Sequence, residues 1–248
     1  MLIKIGNFEY TEVWDGVLYK KLSDYPNITD WEVRTLIEFI DYEKSNGRAC
    51  KIECDDKDLL KLVHQKLNER DKYCDTPRPK LITECTACPH RKGCVTEFVC
   101  HTTSPENAVK IFQSGKLLSA SLARGVPSEQ LVKEKRNAAN DPADYFNYVM
   151  LAWGNCQSGD RLVMERKLGR FPNETDLSTH FTPGIRFFFR YDDLVNHPQR
   201  VFDGVLPFKI KDGIDLSEWV YAIVIPAELK KEMEPIIPLN LKNKVLYI

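Results

Sequence analysis

Hydrophobic and polar positions change their period several times along this chain, and each change marks an element. Leu2 to Ile5 and Val17 to Lys21 flank a polar, aromatic stretch with Asp15-Gly16 as a turn signal, which predicts a hairpin. From residue 30 the period lengthens to that of a helix running to about Tyr42. Val33, Leu36, Ile37 and Ile40 fall on one face, Thr29-Asp30 occupies the N-cap, and Asn46-Gly47 ends the run. Ala49 to Cys54 alternates like a short strand, and Asp55 or Asp56 caps a second helix that carries Leu59, Leu60, Val63 and Leu67. Residues 1–72 therefore read as a small α+β unit. Cys50 and Cys54 share one face of its strand and read as packing residues.

Residues 73–97 lose all periodicity and carry Pro77, Pro79 and Pro89. Beyond them, Glu97 to His101 reads as a strand. Pro105-Glu106 opens a helix whose apolar positions are Ala108, Ile111 and Phe112, and Gly115 stops it. The polar run from Ser119 to Pro142 reads as a long loop, or a loop with an exposed helix. Tyr145 to Trp153 is strongly apolar, strand or helix. Ile185 to Phe189 and Val220 to Ile225, rich in β-branched and aromatic residues, are the clearest core strands, and Val245 to Ile248 suits a closing strand. Arg186 and Arg190 share one strand face, either solvent-facing or anion-binding. His180 and His197 read as surface residues, and Asp203-Gly204 as a turn. The fold class is α+β, divided as 1–72, 73–97 and 98–248.

Composition narrows the classes. The 248 residues, 43% hydrophobic, suffice for one core of medium size and a smaller appendage. A net charge of −1 gives no general attraction for polyanions, so any nucleic-acid contact must use a local basic surface. The start Met1-Leu2-Ile3-Lys4-Ile5-Gly6 lacks the apolar core of a signal peptide, and no apolar run reaches bilayer length, so a cytoplasmic protein with no membrane partner is expected. In a reducing compartment, eight cysteines favour metal ligands and small core residues over disulfides.

Four of them are grouped. Cys74, Cys85, Cys88 and Cys94 are separated by ten, two and five residues, and Pro89 follows Cys88 directly. The Cys85/Cys88 pair can grip one ion across a single turn, and the loop through Gly93 returns Cys94 to it. Four thiolates satisfy zinc, as do three with His90; four also satisfy a [4Fe–4S] cluster, in which a proline commonly follows a ligand. The spacing is similar to the cluster loops of certain DNA-repair glycosylases and iron–sulfur nucleases, over the cysteine stretch only. A closed four-thiolate set has no open position, so its expected role is structural. Arg78, Lys80, Arg91 and Lys92 fringe it and are either solvated or phosphate-holding. Cys100 is a rival fourth ligand whose strand position favours packing. A non-catalytic nucleic-acid-binding protein built around this knuckle is one reading; a metal-dependent nuclease lacks the D…E-x-K motif it would need.

The second constellation runs from His101 to Leu117 with the pattern H-x-T-x3-N-x3-I-x3-G-x-L. It sets a histidine at a strand end, a hydroxyl two residues on at Thr103, and a helix that packs Ile111 inward before Gly115 turns the chain. This pattern resembles the opening of the ADP-ribosyltransferase fold, most closely its DarT-like branch, which modifies DNA. The resemblance implies a split sheet over residues 98–248 that takes NAD as substrate. It further implies that His101 bonds the NAD ribose, that Thr103 fixes the nicotinamide end, and that Asn107 opens the helix. Arg124 would contact NAD and assist transfer, and Tyr148 would stack on the nicotinamide. The segment Val220 to Pro226 resembles the strand bearing the catalytic glutamate, but that position falls on Ala222. Glu218, four residues earlier, shares its face if the strand extends that far, and becomes the expected catalytic carboxylate; Glu165, Asp203 and Glu228 are alternatives. The expected activity is NAD-dependent ADP-ribosyl transfer, with nucleic acid as acceptor.

Overall fold

The computed structural model describes residues 1–8, 11–14, 16–79, 97–134, 142–154, 163–164, 168–170, 173 and 184–248. The described residues form a mixed α+β fold with three sheets. It divides into two compact units. One comprises Met1–Pro79 with Pro127–Tyr145 and Val201–Pro207; the other comprises Lys80–Val126, Phe146–Arg200 and Phe208–Ile248. Among the described residues no helix is long and apolar enough to cross a membrane.

The first unit holds β1 (Leu2–Gly6), β2 (Glu12–Trp14), β3 (Val17–Lys21) and β4 (Lys51–Cys54) in the order β2-β3-β1-β4. The hairpin expected between Leu2–Ile5 and Val17–Lys21 is absent: these segments run parallel, and the antiparallel partner of β3 is β2. β1 lies between β3 and β4, parallel to both, so Ile3 and Ile5 sit in the middle of the sheet and are almost wholly buried. The helices α1 (Asp30–Ser45) and α2 (Lys57–Asn68) add Val33, Leu36, Phe39, Leu59 and Val63 to the same core. Their ends follow the expected chemistry. Thr29 and Glu32 form a reciprocal capping box on α1, and the Asp56 carboxylate accepts from the N–H groups of Asp58 and Leu59 on α2.

Polar groups buried here are closed by partners. The Lys20 ammonium donates to Thr35 Oγ1 at 2.8 Å, and burial pushes its pKa down to about 8 although Glu32 and Glu38 pull it up. Asp203 Oδ1 accepts from the N–H groups of Val205 and Leu206, which forms the expected turn. Gly204 within it has φ +68°, and a Cβ there would lie 2.0 Å from the Thr35 carbonyl oxygen, so only glycine fits.

The second unit begins with β5 (Phe98–Thr103), α3 (Pro105–Ser114), β6 (Lys116–Leu118) and α4 (Ala120–Arg124). It continues with β7 (Tyr148–Trp153), β8 (Ile185–Arg190), β9 (Arg200–Val201), β10 (Phe208–Lys211), β11 (Gly213–Asp215), β12 (Ala222–Ile225) and β13 (Val245–Tyr247). The main sheet has the order β13-β12-β8-β5-β7-β10-β9, and β11 pairs with β6 in a separate ladder. Ser104 caps α3, Pro105 opens it, and Gly115 ends it in the left-handed conformation. The α3 residue Phe112 packs on Phe187 of β8, with ring centroids 5.7 Å apart.

Candidate functional site

The ladders around β5 are unequal. Toward β8 it is paired along its whole length, from Phe98 with Arg190 to Thr103 with Ile185. Toward β7 only Val99 with Trp153 and Cys100 with Ala152 are paired. Beyond Cys100, β5 stays with β8 while Tyr148–Leu151 of β7 pairs with β10, so the sheet parts between the two strands. His101 spans the opening. Its Nδ1–H donates to the Met150 carbonyl at 3.2 Å. At the end of β5 the chain is held close to β8, for a Cβ on Gly184 would fall 1.8 Å from the Thr103 carbonyl oxygen.

Strand alternation sorts the expected site residues onto two faces. His101 and Thr103 share a face with Phe187, Ile185 and Ile223, and Thr103 is 6% exposed. Tyr148 and Ala222 lie on the other face, with Cys100, Thr102, Arg186 and Lys209. The two sets lie on opposite faces of the sheet. Arg186 is paired with Thr102 on one flank and Lys209 with Met150 on the other, and the two cations are 6% and 4% exposed. Lys209 Nζ stands 5.7 Å from the centre of the Tyr148 ring. Arg190, on the same face as Arg186, covers the Tyr221 ring at 4.6 Å. The sequence singled out Arg186 through its spacing from Arg190. It gave no signal for Lys209, which becomes notable only once β10 is set beside β7.

The remaining expected residues lie on other elements. Asn107 is exposed in the first turn of α3, where its N–H is 3.4 Å from Ser104 Oγ. Arg124 is the exposed last residue of α4. Glu218 was expected on an extension of the strand through Ala222. It lies instead in the helical turn Leu216–Trp219, because the Asp215 carboxylate accepts from Ser217 N–H at 2.9 Å and from its hydroxyl at 2.6 Å. That local cap wins over strand propensity, and β12 itself, Ala222–Ile225, carries no carboxylate. Asp203 is committed to its turn, Glu228 is exposed in the turn Ala227–Leu229, and Glu165 is outside the described residues.

The turn carries Glu218 to a different cavity of ≈ 370 Å³, lined also by His197, Trp219, Asp212, Asp215 and Lys116. His197, expected at the surface, is 5% exposed. Its ring lies 4.8 Å from that of Trp219, and its Nδ1 accepts from Gln199 N–H at 3.1 Å. Burial lowers its pKa, opposed by the nearby Glu218 charge, so the ring stays neutral with its proton on Nε2. The Ser217 hydroxyl bond holds the Asp215 carboxyl below its usual range, which keeps it ionised.

Of the cysteine group, Cys74 is exposed with its thiol 3.4 Å from the Arg70 carbonyl; Cys85, Cys88 and Cys94 lie outside the described residues. No three of the described His, Cys, Asp and Glu residues are placed to hold a metal ion. Cys100 is buried with Phe98, Phe188, Ala222 and Val224. Cys50 and Cys54 pack against the core of the first unit. No protein-family model, curated protein or solved structure matches the chain.

Proposed function

We propose that residues 98–248 form an ADP-ribosyltransferase-like domain that binds NAD at the opening between β5 and β7. The observation that carries this reading is the parting of the two strands, bridged by the His101 side chain and flanked by the near-buried cations Arg186 and Lys209. An opened sheet edge offers backbone groups to a ligand. The resemblance from His101 to Leu117 suggests the ligand, and the parted ladder supports a binding position beside His101.

Transfer demands more than binding. When the nicotinamide leaves, positive charge develops on the ribose, and a nearby carboxylate must stabilise it or take the proton of the acceptor. β12 provides none, since Ala222 occupies the family's position and Ile223 faces the side of His101. Glu218 is turned into the separate cavity. The geometry therefore favours NAD binding, with transfer to nucleic acid as an activity that needs a carboxylate from outside β12. The reading keeps Cys74, Cys85, Cys88 and Cys94 as one structural centre for zinc or a [4Fe–4S] cluster in a cytoplasmic protein. Such a centre would close the chain just before β5. Purified full-length protein that is brown, with broad visible absorption, would identify the cluster; colourless protein with bound zinc would identify zinc.

Calorimetric titration of the full chain with NAD tests the binding directly. Saturable heat that His101→Ala weakens by about tenfold or more supports the reading. Labelled NAD with single-stranded DNA tests transfer, and labelling that survives Glu218→Gln would show that another acid acts.

A further inference from the structure

The cavity beside the helical turn Leu216–Trp219 is separate from the β5/β7 opening, and its composition is unlike that of a phosphate site. We propose that it binds a small organic cation, a guanidinium or primary amine that also carries an oxygen acceptor. Three carboxylates line it, Asp212, Asp215 and Glu218, against one ammonium, Lys116. Lys116 stands opposite Asp215 in the β6–β11 ladder, which leaves the charge of the other two carboxylates in excess. The Glu218 backbone N–H bonds Asp215, while its carboxylate has no hydrogen bond or ion pair among the described residues. Asp212 is held by backbone bonds to Asn147 and Ser119, and among the described residues its carboxylate meets only Gln199 Nε2 at 3.5 Å. These groups can be satisfied by a ligand that donates hydrogen bonds and carries positive charge.

The buried histidine gives the second requirement. His197 is 5% exposed, its Nδ1 is occupied by Gln199 N–H, and its Nε2–H meets no acceptor among the described residues. A donor that reaches the cavity wall from a near-buried ring is placed to bond an acceptor within the cavity. Lining by Trp219 adds an indole face that attracts a cation, and Leu118 and Leu122 add apolar surface for a stem. Cation, stem and oxygen acceptor together describe the ligand.

The probe is L-argininamide, which has a guanidinium, an aliphatic stem and a carbonyl oxygen, titrated calorimetrically into the full chain. L-citrullinamide, of the same shape but uncharged, is the control. Saturable binding is expected for argininamide, about tenfold or more weaker for citrullinamide, and about tenfold weaker in Glu218→Gln. Glu218 is exposed, so this variant should melt with the unaltered protein. Trp219→Leu serves as the second variant and should weaken binding as well. No saturable heat, equal binding of the two probes, or affinity unchanged in both variants would overturn the proposal. Displacement of argininamide by NAD would also overturn it, by giving the cavity to the nucleotide. Failure of NAD to bind would leave this site standing, since the two readings share no residue required for binding.

Discussion

In the first unit Glu43 is 1% exposed and both its carboxylate oxygens take hydrogen bonds from Arg48, at 2.6 and 3.0 Å. In the second unit the Glu218 carboxylate has no such partner among the described residues and faces a cavity that also exposes the donor of a near-buried histidine. Lys20 of the first unit is closed in the same way as Glu43, its ammonium donating to Thr35 Oγ1 at 2.8 Å. Polar groups consumed by the fold answer to stability, and polar groups turned toward an opening answer to ligands. Equivalent substitutions in the two units should therefore read out in different measurements.

The largest effect is expected in the first core. Leu36→Ala, at a fully buried position, should cost about 3 kcal/mol in urea unfolding and leave ligand titrations of the folded protein unchanged. Next is Lys20, whose pKa falls from 10.5 unfolded to about 8 folded. Between those values the unfolded chain binds more protons, so stability rises as pH increases through that interval, and below it the burial cost is present in full. Lys20→Met should remove that rise, on the order of 3 kcal/mol between pH 8 and 10.5, and should be more stable than the unaltered chain near pH 7. A parallel pH profile for the two proteins would break the comparison. Thr29→Ala, which opens the capping box of α1, should cost about 1 kcal/mol. His101→Ala should shift unfolding least, by roughly 1 kcal/mol for one hydrogen bond, while its effect falls on NAD.

How much of this was legible in the sequence follows the range of the interactions. Local chemistry was readable: Thr29 and Asp56 cap their helices, Pro105 opens α3 and Gly115 stops it. Non-local pairing was not. Nothing within Leu2–Ile5 says that it lies parallel to Val17–Lys21, since period-2 alternation fits either direction. The helical turn at Glu218 had a local signal in Asp215 and Ser217, overshadowed by the apolar run that follows it. The cavity could not be read at all, because Lys116, His197 and Glu218 come from distant stretches that meet only through the β6–β11 ladder and the turns beside it. The resemblance at His101 to Leu117 located a candidate strand end, but only the ladder revealed that the sheet opens there.

The central claim is that the opening beside His101 takes NAD. Calorimetric titration of NAD into full-length, metal-replete protein tests it most directly. The account predicts saturable binding, reduced about tenfold or more in His101→Ala and unaffected by Glu218→Gln. Absence of saturable heat in the unaltered protein, or full affinity in the folded His101→Ala variant, would contradict it.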